Sequence, residues 1–131
     1  PDVYNHNVET VERLTPLIRS KAQYRRSLAV LAKAFSMTDG RIPVKSGIMV
    51  GMGETDDEVL QTIRDIRETG ATFLTIGQYL PPSREHWKLE RYVEPALFDS
   101  WGAYAREIGF EHVNSGPLVR SSYYAEELAR S

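Results

Sequence analysis

The feature that most constrains this chain is a junction in its middle. Ile42 to Val50 is a run rich in β-branched residues that passes into Gly51-Met52-Gly53, and a helix start follows at once. Thr55 is a good N-cap, and Glu58 stands three positions on, the spacing at which the two residues cap each other's backbone N–H groups. Asp56 and Asp57 add negative charge where the helix dipole is positive. Val59, Leu60, Ile63 and Ile66 form a buried stripe, and Gly70 closes the helix. A strand that turns through glycine into a capped helix is the building unit of a parallel sheet, because parallel neighbours need a crossover between them.

The rest of the chain repeats the alternation without repeating sequence. Val3 to Val8 reads as a short strand, followed by a helix near Glu9 to Arg19 that Pro16 bends or interrupts. From Ala22 to Phe35, Tyr24, Leu28, Leu31, Ala32 and Phe35 share one helix face, and Asp39-Gly40 is a stop. Thr72 to Ile76 is the next strand, and Gly77 to Val93 is an irregular polar stretch containing Pro81-Pro82. Pro95 opens another helix, with Leu97, Phe98, Trp101, Ala105 and Ile108 inward and Gly109 as its stop. Phe110 to Val113 is a last strand, then a loop through Gly116-Pro117 and a tail helix after Ser122. Three or four parallel strands with helices make an open half barrel with a raw edge. Its uncovered inner face should leave apolar surface in water.

Composition excludes several classes. Sixteen Lys+Arg against eighteen Asp+Glu give a net charge of -2, which lacks the basic footprint of a nucleic-acid binder. No apolar run approaches membrane-spanning length, and nothing at the start resembles a signal peptide. Cysteine is absent, so neither a disulfide framework nor a cluster held wholly by this chain's thiolates is possible. The same absence fits a reducing, cytoplasmic setting. An opening on Pro1 fits either removal of an initiator Met or a cut in a longer protein.

In parallel α/β folds ligands gather at the carboxyl ends of the strands. Four stretches end there: Asn5 to Glu9, Gly47 to Glu54, Gly77 to Tyr79, and Ser115 to Tyr123. In Tyr4-Asn5-His6-Asn7-Val8-Glu9-Thr10, alternation puts Asn5, Asn7 and Glu9 on one face, where two amides and a carboxylate can bind vicinal hydroxyls. Equally, the two asparagines can cap turns while Glu9 joins the next helix. In Lys45-Ser46-Gly47-Ile48-Met49-Val50-Gly51-Met52-Gly53-Glu54, the glycines allow close approach of backbone to a ligand before the helix N-terminus. A ligand-free turn would need the same glycines. In Gly116-Pro117-Leu118-Val119-Arg120-Ser121-Ser122-Tyr123, Arg120 can hold an anion and Ser122 can cap the tail helix. His6, His86 and His112 are too scattered for metal-ligand spacing on one helix.

Taken in order, these stretches together with Leu74-Thr75-Ile76-Gly77-Gln78-Tyr79-Leu80 resemble the carboxyl-terminal half of lipoyl synthase over nearly the whole chain. The Asn-His-Asn-Val-Glu-Thr and glycine stretches are shared more loosely with biotin synthase, whereas Arg-Ser-Ser-Tyr singles out lipoyl synthase. The resemblance implies an α/β fold, the carboxyl-terminal half of a partial (β/α)6 radical S-adenosylmethionine barrel. It would span residues 1–131 as one domain, with a cluster-binding tail near 116–131. Such an enzyme inserts two sulfur atoms into an octanoyl chain carried by a lipoyl-domain protein or the glycine cleavage H protein. It uses S-adenosylmethionine and two 4Fe–4S clusters, one of them consumed as the sulfur source.

Residue by residue, the resemblance implies that Asn7 and Glu9 lie near the ribose of S-adenosylmethionine. Gly47, Met49, Gly51 and Glu54 match the motif that shapes the nucleoside pocket, with Met49 standing where the family has Ile. Gln78 and Tyr79 would line the adenine side. Ser121 or Ser122 would ligate the auxiliary cluster, with Arg120 beside it. The family's cluster cysteines lie in its amino-terminal half and none is present here, so this chain alone is expected to be inactive and to need that missing half. Two other classes compete: a cysteine-free module that binds a nucleoside or a lipoyl domain without catalysis, and an inert half domain that pairs through its open edge.

Overall fold

The computed structural model describes residues 2–15, 23–83 and 86–119. Four strands, β1 (Tyr4–Asn5), β2 (Val44–Val50), β3 (Phe73–Gln78) and β4 (His112–Gly116), form one parallel sheet in the order β1-β2-β3-β4. Among the described residues three α-helices lie between them: α1 (Tyr24–Thr38), α2 (Asp56–Glu68) and α3 (Pro95–Glu107). Spatial order equals chain order, so right-handed crossovers put every helix on the same side of the sheet. A doubly wound sheet would reverse its order somewhere. This one does not, which is the arrangement of a barrel wall.

Each helix forms for local reasons that the sheet then exploits. The Thr55 hydroxyl accepts from the Glu58 N–H at 3.2 Å, and the Glu58 carboxylate accepts from the Thr55 N–H at 2.8 Å. The capping box is therefore complete, worth about 1 kcal/mol. Val59, Ile63 and Ile66 are buried, with Leu60 half-buried beside them. In α1, Tyr24 and Leu31 are buried, and Asp39 ends the helix in a left-handed conformation with its N–H on the Phe35 and Ser36 carbonyls. Pro95 sits in the first turn of α3, and Phe98, Trp101 and Ala105 are buried behind it. The Phe98 and Trp101 rings meet edge-on at 5.7 Å.

Strand alternation then sorts the two faces. Val44, Ile48, Val50, Leu74 and Ile76 belong to the helix-covered core. The Ser115 hydroxyl donates to the Phe98 carbonyl at 2.7 Å, which fixes this face against α3. The opposite face carries three rungs across the sheet: Asn5, Lys45, Phe73 and His112; then Gly47, Thr75 and Asn114; then Met49, Gly77 and Gly116. Phe73 and His112 have ring centroids 4.2 Å apart, as neighbours on one rung should. The expectation of an apolar inner surface left in water is corrected here. Beyond Phe73 and Met49 the inner face is polar or small, and Lys45, Gly47, Thr75 and Gly77 on it are buried.

Three boundaries also move. Glu9 does not open a helix, because the sheet uses its backbone: its N–H reaches the Gly47 carbonyl at 3.2 Å and its carbonyl accepts from Met49 at 2.9 Å. A short 3-10 turn, Glu12–Leu14, follows, and the expected helix beyond Thr15 lies outside the described residues. Strand β3 runs on through Gly77 and Gln78, which pair with Met49 and Val50. Strand β4 starts late, because Phe110 is buried in the core and its N–H closes the end of α3 on the Ala105 carbonyl.

Candidate functional site

The carboxyl ends of β1, β2 and β3 converge on the glycine turn after β2. Gly51 has φ 99, a left-handed value that suits only glycine, and a Cβ there would come within 2.4 Å of the Gln78 amide nitrogen and 2.5 Å of the Arg91 carbonyl. Glu54 folds back under the turn. Its carboxylate accepts from the Gly51 N–H at 3.0 and 3.1 Å and from the Met52 N–H at 3.0 Å, with the side chain 1% exposed. The carboxylate thus holds three residues of backbone in a tight curl. From the β1 side, the Arg13 guanidinium donates to the Gly53 carbonyl at 2.9 Å and makes a two-pronged pair with Glu58 at 2.8 and 2.9 Å. That hydrogen-bonded pairing pulls the Glu58 carboxyl down to about 2.

Residues 87–93 cross the other side of the turn as a strap. Gln78, 3% exposed, donates from Nε2 to the Tyr79 carbonyl at 3.1 Å and to the Arg91 carbonyl at 2.9 Å, and its Oε1 accepts from the Val93 N–H at 2.8 Å. Both amide hydrogens are therefore committed to backbone. Glu90 and Arg91 donate their N–H groups to the Gly51 carbonyl at 2.8 and 3.3 Å. The Arg91 guanidinium reaches Asp56 at 2.9 Å and Glu54 at 3.7 Å. Trp87 donates its indole N–H to the Met52 carbonyl at 2.8 Å, and the Tyr79 hydroxyl donates to the Trp87 carbonyl at 2.5 Å. Burial raises the Tyr79 phenol above its ordinary value, so it remains a donor.

At the end of β1 the chain bulges. Val8 and Glu9 both donate to the Gly47 carbonyl at 3.2 Å, two residues opposite one. Glu9 has φ 81, an uncommon and costly conformation for a residue with a side chain. Alternation therefore fails after Asn7, and the backbone turns Glu9 where an ideal strand would not. His6 lies against α1, its Nε2 3.0 Å from the Ser27 hydroxyl. Thr10 is buried, and its hydroxyl makes no hydrogen bond among the described residues.

Past β4, the Val119 carbonyl lies where a Cβ on Gly77 would be, at 2.5 Å, so the segment leaving the sheet passes over the end of β3. Arg120, Ser121, Ser122 and the tail helix lie outside the described residues, and the 116–131 tail is described only through Val119. Among the described residues no group of three or more His, Cys, Asp or Glu could hold a metal ion, and none of their helices is long and apolar enough to cross a membrane.

Several residues that matter to this geometry escaped motif reading. Trp87 and Arg91 sit in a stretch without periodicity, and Arg13 belongs to an expected helix surface. Lys45 was visible as the single cation in a β-branched run. It is fully buried, and loss of solvent lowers its ammonium to about 8.

No protein-family model matches the chain. Whole relatives do. The chain is 55% identical to lipoyl synthase of Caldicellulosiruptor saccharolyticus over 130 residues, which is 99% of the chain and 45% of the relative. It is 54% identical to lipoyl synthase of Methylococcus capsulatus over 129 residues, 98% of the chain and 40% of the relative. Against lipoyl synthase of Actinobacillus pleuropneumoniae the identity is 52% over 130 residues, 99% of the chain and 39% of the relative. Along nearly its whole length the chain is similar to one part of lipoyl synthase. It spans less than half the length of the lipoyl synthases it matches. The sequential parallel sheet with its helices on one side agrees with part of the lipoyl synthase barrel.

Proposed function

We propose that these residues form the later half of a lipoyl synthase barrel and supply one wall of its S-adenosylmethionine site. The complete enzyme would insert two sulfur atoms into an octanoyl chain carried on a lipoyl-domain or glycine cleavage H protein. The observation that carries this reading is identity of 52–55% along essentially the whole chain to proteins of that name. That identity favours the enzyme over a binding module without catalysis.

The residues present fit S-adenosylmethionine but not the clusters. On the inner face the Thr75 hydroxyl, on the rung of Gly47 and Asn114, is buried with no hydrogen-bond partner among the described residues, so a polar ligand there would complete it. No cysteine exists in the 131 residues, so both 4Fe–4S clusters would need thiolates from elsewhere. Bound and reductively cleaved, S-adenosylmethionine supplies a 5′-deoxyadenosyl radical that abstracts hydrogen. This chain's part is placement. Asn7 and Glu9 would orient the ribose hydroxyls from the β1 bulge, and the Gly47 and Met49 positions would floor the nucleoside pocket. Gly51, Glu54, Gln78 and Tyr79 would fix its rim. One of Ser121 and Ser122 would ligate the auxiliary cluster, with Arg120 beside it.

The test is reconstitution. With a cysteine-bearing amino-terminal half and loaded clusters, the chain should convert an octanoylated lipoyl domain to the lipoyl form, and neither piece alone should do so. Asn7→Ala and Glu9→Gln should each raise the S-adenosylmethionine KM by about tenfold, one to two kcal/mol of lost hydrogen bonding. Turnover by the chain alone, or unaltered KM in both variants, would overturn the reading.

A further inference from the structure

Everything about the 87–93 strap points at the glycine turn, although no motif marks it. Three residues far apart in sequence meet there: Gly51 on the turn, Gln78 at the end of β3, and Arg91 on the strap. The contact is close enough that a single Cβ on Gly51 would displace both of the others. Gln78 spends both amide hydrogens on the Tyr79 and Arg91 carbonyls and takes the Val93 N–H on its oxygen. An amide so engaged has no hydrogen left to offer a nucleobase. The strap is pinned again by Trp87 on the Met52 carbonyl and by Arg91 on Asp56 and Glu54.

We infer that Gln78 is a positioning residue rather than a contact of the ligand, and that the strap it holds, with Trp87 and Arg91, sets the shape of the glycine turn on which S-adenosylmethionine affinity depends. This rests on the site reading above. The geometry gives the reason. The turn's own glycines are free to adopt many conformations, so something must select one, and the carbonyls of Gly51 and Met52 are both tied to the strap. Loss of the tie should cost affinity for S-adenosylmethionine before it costs chemistry, because the groups that touch the ligand are unchanged.

The experiment uses the complete cluster-loaded enzyme carrying Gln78→Leu, Gln78→Glu or Trp87→Phe. Gln78→Leu should raise the S-adenosylmethionine KM about tenfold with kcat at saturation within about threefold. Gln78→Glu keeps the acceptor for Val93 but sets a carboxylate oxygen against the Tyr79 and Arg91 carbonyls, so it should raise KM at least as much as Gln78→Leu. Trp87→Phe keeps the ring, loses one hydrogen bond, and should raise KM about threefold. Hydrogen exchange of the Glu90 to Val93 amides should quicken in each variant while α1 and α3 keep their protection. Should Gln78→Leu fail to fold, Trp87→Phe decides alone. Faster exchange in the strap with KM unchanged would overturn the proposal, and so would a fall in kcat at unchanged KM. If Asn7→Ala and Glu9→Gln also left KM unchanged, the site reading itself would fail. If those two raise KM and the strap variants do not, only the positioning role is lost.

Discussion

On the helix side of the sheet, Val44, Ile48, Val50, Leu74 and Ile76 are each at most 3% exposed and share one core with Phe98 and Trp101. On the other side the same strands present Lys45, Thr75 and Asn114 among Gly47, Gly77 and Gly116. Both faces are buried in β2 and β3, so burial does not distinguish them. What differs is the kind of work. The outer face removes apolar area from water, and the inner face takes polar and small groups out of water. A parallel sheet covered equally on both sides would read as continuous hydrophobic runs. The inner lysine, threonine and asparagine depart from that pattern, as the proposed S-adenosylmethionine site requires.

The sharpest test of this contrast is a pair of substitutions on opposite faces. Trp101→Ala should destabilise the protein by about 3–5 kcal/mol in chemical denaturation, since it leaves a large cavity in the outer core. Thr75→Val, nearly isosteric on the inner face, should change stability by less than about 1 kcal/mol, because the hydroxyl it removes makes no hydrogen bond among the described residues. A large loss from Thr75→Val would mean that the inner face is core like the outer one. Next in size is Gly51→Ala, which should cost about 2 kcal/mol or more and weaken S-adenosylmethionine binding, given the backbone conformation and the atoms its Cβ would strike. Unchanged binding would show that the turn tolerates reshaping.

Lys45 gives a pH test of the inner face. Its folded value of about 8 lies below its ordinary 10.5, so the unfolded chain binds the extra proton between those limits. Stability should therefore rise from pH 8 to pH 10.5, by on the order of 2 kcal/mol, and Lys45→Met should abolish that rise. The smallest effect belongs to Glu58, paired with a half-exposed Arg13. Its folded value of about 2 lies below the ordinary 4.5, so its contribution is complete above pH 4.5 and is lost as pH falls towards 2. Partial exposure screens the pair, so Glu58→Gln should remove less than about 1 kcal/mol at neutral pH and flatten the acid limb of the stability profile.

Much of the fold is local and was therefore legible. The Thr55 and Glu58 capping box, Pro95 in the first turn of α3 and the stop at Asp39 each depend on residues within one turn of one another. The candidate site was legible only where it lies on a strand end with a motif, as at Asn7, Gly47 and Gly51. Trp87 and Arg91 carried no signal, because their importance lies in the Met52 carbonyl and the Asp56 carboxylate they meet, each 35 residues away. Glu9 was misread as a helix start for the same reason. Its positive φ is imposed by hydrogen bonds to Gly47 and Met49, and no neighbour in sequence requires it.

The sequence by itself determined the alternation of strand and helix, the glycine positions and the likeness to lipoyl synthase, since all three are written in residue type and spacing along the chain. The tertiary structure decided which side of the sheet is polar, that Glu54 curls the turn, and that Gln78 spends its amide on a strap. Those outcomes are hydrogen-bond choices between distant segments, and a side chain with several possible partners reveals its choice only once folding has brought one of them within 3 Å.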